Sequence, residues 1–357
     1  MKTPTERKTS QPPGGFFGYH ARVPGVTLSD SSIWRTLAIA VTLAIVAVLP
    51  VNATADRTAL HANVIHSDRI GPRWERVQVD SAAMGRPVTL DVLHGSGDGP
   101  RPTLYLLDGV DAEGVSDWLT KGHAADFFAD KPIDVVFPAG ATGSMYTDWQ
   151  HPDAALGWNR WDTFLAGELP GVIEPYLHSD GRRAIAGVSM GAQGAMMLAH
   201  RHPGLYRAVA GMSGCYSTVD STGSMVTALT VASRGGNVMN LWGPLGTFDW
   251  LTHDSTVGAE ALRGTVIYLS AASGVPGVPD LAEVLRSADM PAALQSAGGG
   301  VALEAGARIC TEHFAKRLSD LRIPATVHYE PTGIHAWEDF SAQLGPAWDT
   351  LATAFGR

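Results

Sequence analysis

Arg183-Ala184-Ile185-Ala186-Gly187-Val188-Ser189-Met190-Gly191 runs from a short apolar segment, through a serine set between glycines, into an Ala/Met-rich stretch ending at His200. Strand, sharp turn and helix with a serine at the apex make a nucleophile elbow. The turn forces the serine into a strained backbone conformation, so its neighbours must be small. Gly187 and Gly191 let the strand and helix pass close together. The serine hydroxyl then stands at the top of a sheet, and the helix amides behind it, beginning with Met190 N–H, face any negative charge that develops there. A Gly-x-Ser-x-Gly pattern alone is weak in a chain with 40 glycines. The apolar run before it and the helical run after it carry the reading.

Outward from the elbow, short apolar runs alternate with helical stretches from residue 74 onward. Strands are expected at Arg76–Asp80, Val88–Leu93, Thr103–Leu107, Asp134–Phe137, Arg183–Gly187, Ala208–Met212, Thr265–Ser270 and Ala325–Tyr329. The last six are mostly apolar, as strands covered on both faces are, and the first two alternate like edge strands. Helices are expected at Thr163–Tyr176, Gly191–His200 and Ala305–Leu321, with breaks at Pro203, Gly204 and Pro324. This predicts an α/β-hydrolase fold: a mostly parallel eight-stranded sheet with helices on both faces and the elbow after the fifth strand. No internal repeat and no second core are visible. Residues 74–357 read as one catalytic domain. Residues 221–240 and 274–300 are rich in Gly, Ser and Pro and read as loops or small helices over the site mouth.

The N-terminus reads differently. Residues 1–32 are polar, Arg35 precedes an apolar run from Leu37 to Leu49, and Pro50 ends it. Ala53-Thr54-Ala55 follows as a small-residue cleavage site. Residues 1–55 are therefore expected to be an export signal with a long polar leader, cut after Ala55, and 56–73 a linker. The alternative is a retained anchor, but the apolar run is shorter than the ~20 residues a spanning helix needs. Five basic and two acidic residues lie in 1–55, so the rest carries a net charge of −12, against −9 for the whole chain. An acidic exported domain is not a nucleic-acid binder. The two cysteines, Cys215 and Cys310, have no metal-site spacing. In an exported chain they read as one disulfide, the alternative being two buried thiols.

A nucleophilic serine needs a base, and the base an orienter. In this fold the chain order is Ser, then Asp or Glu, then His. His335 follows the last expected strand and is the base. His328 falls inside that strand and His313 inside a helix. The acid is open on position: Asp280, Glu283, Asp289 and Glu304 all follow the seventh strand, and position alone favours Asp280. The second oxyanion amide is expected in Leu106-Leu107-Asp108-Gly109-Val110-Asp111, from Val110. Asp108 is expected at the site edge, where a carboxylate can hold sugar hydroxyls.

Across about residues 75–355 the chain resembles the antigen 85 mycolyltransferases and their catalytically silent secreted relative. Leu106-Leu107-Asp108-Gly109, Ser144-Met145-Tyr146-Thr147-Asp148-Trp149, Trp161-Asp162-Thr163-Phe164-Leu165, Glu168-Leu169-Pro170, Met212-Ser213-Gly214, Leu241-Trp242-Gly243-Pro244 and His335-Ala336-Trp337-Glu338 carry the resemblance, in order. The resemblance implies that the acid is the glutamate of Leu303-Glu304, that Val110 and Met190 supply the oxyanion amides, and that Trp337 lines a sugar site. One departure stands out. Asp111 occupies the place where the active enzymes carry an arginine that helps to bind trehalose, and it places a second carboxylate beside Asp108.

The resemblance implies an exported, monomeric serine acyltransferase without cofactor or metal. It would move mycolyl groups from trehalose esters to sugar hydroxyls, cell-wall arabinan among them. A secreted carboxylesterase is the alternative in the same fold, and a non-catalytic cell-wall or matrix-binding protein the alternative from another class.

Overall fold

The computed structural model describes residues 62–356. Among them a nine-stranded sheet runs in the order β1-β2-β3-β5-β4-β6-β7-β8-β9. Its strands are β1 (Asn63–Arg69), β2 (Trp74–Ser81), β3 (Arg86–Leu93), β4 (Thr103–Leu107), β5 (Asp134–Pro138), β6 (Arg183–Val188), β7 (Ala208–Met212), β8 (Val266–Ala271) and β9 (Thr326–Tyr329). From β4 to β9 the strands are parallel, and β1, β2 and β3 join them as an antiparallel flank. This is the α/β-hydrolase architecture, with one strand more than expected. The addition, β1, falls in the stretch read as a linker. It is an exposed polar edge strand held by its backbone ladder to β2, so it carries no alternation of apolar residues to read. At the opposite edge β9 is only half covered, although its composition reads as a strand buried on both faces.

Central strands are mostly apolar because their side chains meet one of two cores. On β4, Tyr105 and Leu107 enter one core with Ile185 and Val209, while Leu104 and Leu106 enter the other with Ala184 and Ala208. The first core is closed by α1 (Leu169–Tyr176) and α2 (Met190–Arg201), the second by α6 (Leu344–Thr353). The expected helix at 163–176 begins as a π-helical turn, Thr163–Glu168, and continues as α1.

The regions over the site mouth are more helical than expected. They contain α3 (Ser221–Ala232), α4 (Val278–Arg286) and the long α5 (Met290–Asp320). The Gly298-Gly299-Gly300 run reads as a breaker, so the sequence places the start of α5 fifteen residues late; tertiary packing overrides the propensity. No helix among the described residues is long and apolar enough to cross a membrane. The proposed export signal lies outside the described residues.

Candidate active site

Ser189 sits between β6 and α2 with φ 55° and ψ −119°. A Cβ added at Gly187 would lie 2.4 Å from the Gly191 backbone, and one at Gly191 would lie 2.4 Å from the Asp108 carbonyl oxygen. Glycine is thus obligatory at both places, and the strained serine is held by surroundings that leave no room to relax. The Ser189 N–H donates to Met212 O at 2.9 Å, which fastens the elbow to the end of β7.

His335 lies on the loop after β9. Its Nε2 is 2.7 Å from Ser189 Oγ, and its Nδ1 is 2.7 Å from Glu304 Oε2. Glu304 is fully buried on α5. Its Oε1 accepts the Ser213 hydroxyl at 2.8 Å and the Ala272 N–H at 2.7 Å. These donors hold the buried carboxylate in one orientation. Its other oxygen accepts the His335 Nδ1–H, which leaves Nε2 free to receive the serine proton. The His335 ring stands edge-on to Phe340, with centroids 4.9 Å apart, and the His335 backbone N–H donates to Gly300 O at 3.1 Å. Asp280, the positional alternative for the acid, lines the same cleft with no hydrogen bond to His335: it accepts the Gly277 N–H at 2.6 Å and meets the Asp339 carboxyl.

Beyond its place in the Met212-Ser213-Gly214 motif, Ser213 carries no signal in the sequence that marks it as a site residue. It has φ 53° and ends β7, so the same strand end receives the elbow amide and aims a hydroxyl at the acid. Two residues on, Cys215 is disulfide-bonded to Cys310, which lies on α5 six residues past Glu304. The bond ties together the two segments that hold the acid.

The Ser144–Trp149 motif acts from beneath the loop after β4. Met145 and Tyr146 both have positive φ, and the Tyr146 hydroxyl accepts the Asp108 N–H at 3.0 Å. Val110 and Gly109 line the cleft beside Ser189. The Met190 side chain is in the core, and as the first helical residue it has no intrahelical acceptor for its N–H.

Asp108 departs from the expectation. Its carboxylate is 2% exposed and does not line the cleft. Oδ1 accepts the Ser116 hydroxyl at 3.0 Å and the Trp118 N–H at 3.2 Å, which caps the short helix Asp117–Thr120, while Oδ2 is buried without a partner. The side chain is turned inward by these donors and offers nothing to a sugar. Burial pushes its carboxyl up to about 7, against the hydrogen bonds from Ser116 and Trp118. The folded chain thus holds a proton that the unfolded chain has lost above about pH 4. Its stabilisation is complete below that pH and is lost as pH rises through 7. Thermal unfolding at pH 5 and pH 8 should show a lower midpoint at pH 8. Asp108→Asn should recover on the order of 2–4 kcal/mol there and flatten the difference. An equal fall in both proteins would assign the pH dependence to other groups.

Asp111 also behaves differently from its sequence reading. Arg234 Nε donates to its Oδ1 at 2.8 Å across the mouth of the cleft, from the segment that follows α3. The second carboxylate is thereby neutralised, and a guanidinium stands at the pocket wall although residue 111 is not an arginine. Trp337 lines the same cleft, edge-on to Trp118 with centroids 5.2 Å apart. The cleft measures about 850 Å³ and carries Val284, Ala293, Ala297, Leu303 and Ile334 on one side. That is within the range of small-molecule sites. No group of three His, Cys, Asp or Glu side chains converges as a metal site among the described residues.

The elbow, the hydrogen-bonded Ser-His-Glu triad and the parallel sheet define a serine hydrolase of the α/β-hydrolase class, built for acyl transfer or ester hydrolysis. The family model described as "Putative esterase" matches residues 81–351. The MPT51/MPB51 antigen of Mycobacterium tuberculosis is 34% identical over 220 residues, covering 60% of this chain and 71% of that one. The diacylglycerol acyltransferase/mycolyltransferase Ag85A of the same organism is 30% identical over 301 residues, covering 81% and 83%. The crystal structure of Mycobacterium tuberculosis MPT51 superposes with a TM-score of 0.64 at 29% identity, over 79% of this chain and 99% of that one. The chain belongs to this esterase family, in the group of the antigen 85 mycolyltransferases and MPT51.

Proposed function

We propose that this chain is an exported acyltransferase that moves mycolyl groups between sugar hydroxyls through an ester on Ser189. The observation that carries the reading is the hydrogen-bonded run from Ser189 through His335 to Glu304 beside an 850 Å³ cleft. In the proposed reaction His335 Nε2 takes the Ser189 proton as Oγ attacks the ester carbonyl of a trehalose monomycolate. The Val110 and Met190 amides receive the oxyanion, where each such donor is typically worth ~2.7–4 kcal/mol. His335 returns the proton to the departing trehalose oxygen, leaving mycolyl-Ser189. A second hydroxyl, on another trehalose ester or on cell-wall arabinan, then gives its proton to His335 and attacks the acyl carbon; the bond from that carbon to Ser189 Oγ breaks, and His335 returns the proton to Oγ. Trp337 offers the new sugar an apolar face, and the Arg234 guanidinium offers fixed donors.

Export is supported by the apolar run 37–49, the small residues before Asp56, and the disulfide, which suits an oxidising compartment. The similar Ag85A of Mycobacterium tuberculosis is a diacylglycerol acyltransferase/mycolyltransferase, which fits the proposed substrate class.

Mass spectrometry of the intact protein after incubation with trehalose monomycolate tests the proposal. The expected result is a single mycolyl adduct that disappears on adding trehalose, with trehalose dimycolate as the product. An adduct that is cleared to free acid at the same rate with and without trehalose would make the chain a carboxylesterase. No adduct at all would sink acyl-enzyme chemistry with this donor.

A further inference from the structure

Helix α4 wears its sides the wrong way round for a soluble protein. At about 100° per residue, Val278, Leu281 and Leu285 fall within an arc of about 60°. They are 81%, 55% and 72% exposed. The opposite side carries Asp280, Glu283, Val284 and Ser287, and these line the catalytic cleft. The apolar stripe continues onto the start of α5 through Met290 and Leu294, both largely exposed. An amphipathic helix ordinarily buries its apolar stripe. Here the rotation is set by Asp280, which is buried: it caps the helix through Gly277 N–H and meets the carboxyl of Asp339. Asp339 in turn accepts the Ile334 N–H at 2.7 Å, next to the catalytic histidine. The inner face of α4 is thus pinned to the His335 loop, and the outer face is turned to solvent.

Contiguous exposed apolar surface beside a site marks an interaction surface. Its charge rules out an anionic partner. Between Val275 and Gln295 the one basic side chain is Arg286, paired with Glu283 at 3.0 Å, against the carboxylates of Asp280, Glu283 and Asp289. One helix roofs the cleft with one face and presents the apolar stripe with the other, so whatever sits on the stripe lies within a helix diameter of the acyl site. Leu303 on α5 also lines the cleft and is 57% exposed.

We propose that the outer face of α4, with Met290 and Leu294, docks on an uncharged glycolipid layer, so that the ester enters the cleft directly from the layer. This rests on the acyl-transfer reading of the cleft and adds where the substrate is met. The stripe lies in the layer as an interfacial helix does, by apolar burial alone.

Hydrogen–deuterium exchange of the full chain, with and without vesicles of phosphatidylcholine and trehalose dibehenate, tests this directly. Slower exchange confined to residues 278–294 on adding vesicles is expected, unchanged by salt. The triple variant Val278→Ser, Leu281→Ser, Leu285→Ser should lose that protection and partition to vesicles at least about tenfold less. Its kcat/KM on a soluble p-nitrophenyl ester should stay within about twofold. Three results would overturn the proposal. One is vesicle binding that leaves 278–294 unprotected, as docking through the apolar run 37–49 would. Another is protection of 278–294 that grows with protein concentration without vesicles, which would make the stripe an interface between two copies. The last is binding that requires anionic lipid. Failure of the wild type on the soluble ester would instead count against the acyl-transfer reading, and the exchange measurement would still report on docking.

Discussion

Ser189→Ala abolishes formation of the acyl-enzyme, and with it at least about 10⁴-fold of turnover on any ester. The hydroxyl is the one group in the cleft that stands both at the elbow apex and 2.7 Å from His335 Nε2. Alanine keeps the Cβ and the same strained backbone, so the elbow packing is unchanged. What is lost structurally is one partly buried hydrogen bond, worth about 1 kcal/mol. Intact-mass analysis with trehalose monomycolate or a fluorophosphonate should show no adduct, and thermal unfolding should show a midpoint within a few degrees of wild type. An adduct on the variant would move the nucleophile elsewhere.

Glu304→Gln lowers kcat by about 10³–10⁵-fold, a loss that follows from counting donors. Glu304 accepts Ser213 Oγ–H and Ala272 N–H on one oxygen and His335 Nδ1–H on the other. An amide has one accepting end. If its oxygen faces Ser213 and Ala272, its NH₂ faces His335, and Nδ1 must become the acceptor. The proton then sits on Nε2, the atom that has to receive the serine proton. If the amide is reversed, its NH₂ meets the fixed Ala272 N–H donor in a fully buried position. Either way the base is in the wrong tautomer or the acid is displaced. Asp280→Asn, which leaves this network untouched, should change kcat little. The acylation rate on a p-nitrophenyl ester measures both variants, and a small effect at Glu304 with a large one at Asp280 would exchange their roles.

The elbow, the central strands and the position of His335 were legible because each rests on local chemistry. Small residues mark a forced turn, unbroken apolar runs mark strands covered twice, and a histidine follows the last of them. The acid was not legible in that way. Glu304 lies midway along a helix whose N-terminal half passes through three glycines, so pattern reading starts that helix at its neighbour, and position alone favours Asp280. The family resemblance separated the two. Asp108 misled because its own backbone is at the site while its side chain is claimed by Ser116 and Trp118, which follow it in the chain. The pairing of Asp111 with Arg234 spans 123 positions, and no local signal announces it. Strand β1 escaped for the opposite reason: of its side chains only Val64 packs on the core, so no alternation shows.

Gly300 and Glu304 stand one turn apart on α5, on the same side of the helix. The first takes the backbone N–H of His335 and the second takes its ring. The helix therefore grips the histidine at two points, like a hand holding a tool by shaft and collar. Of the three consecutive glycines only Gly300 is pressed by its surroundings: an added Cβ would come to 3.4 Å from His335 N, whereas Gly298 and Gly299 face open space. Each glycine makes a helix interior about 1 kcal/mol weaker than alanine would. The frailest turn of the longest helix thus lies directly before the catalytic acid, under the roof formed by α4. A chain that would open its active site by loosening a single element has that element here, with its far end anchored by Cys310.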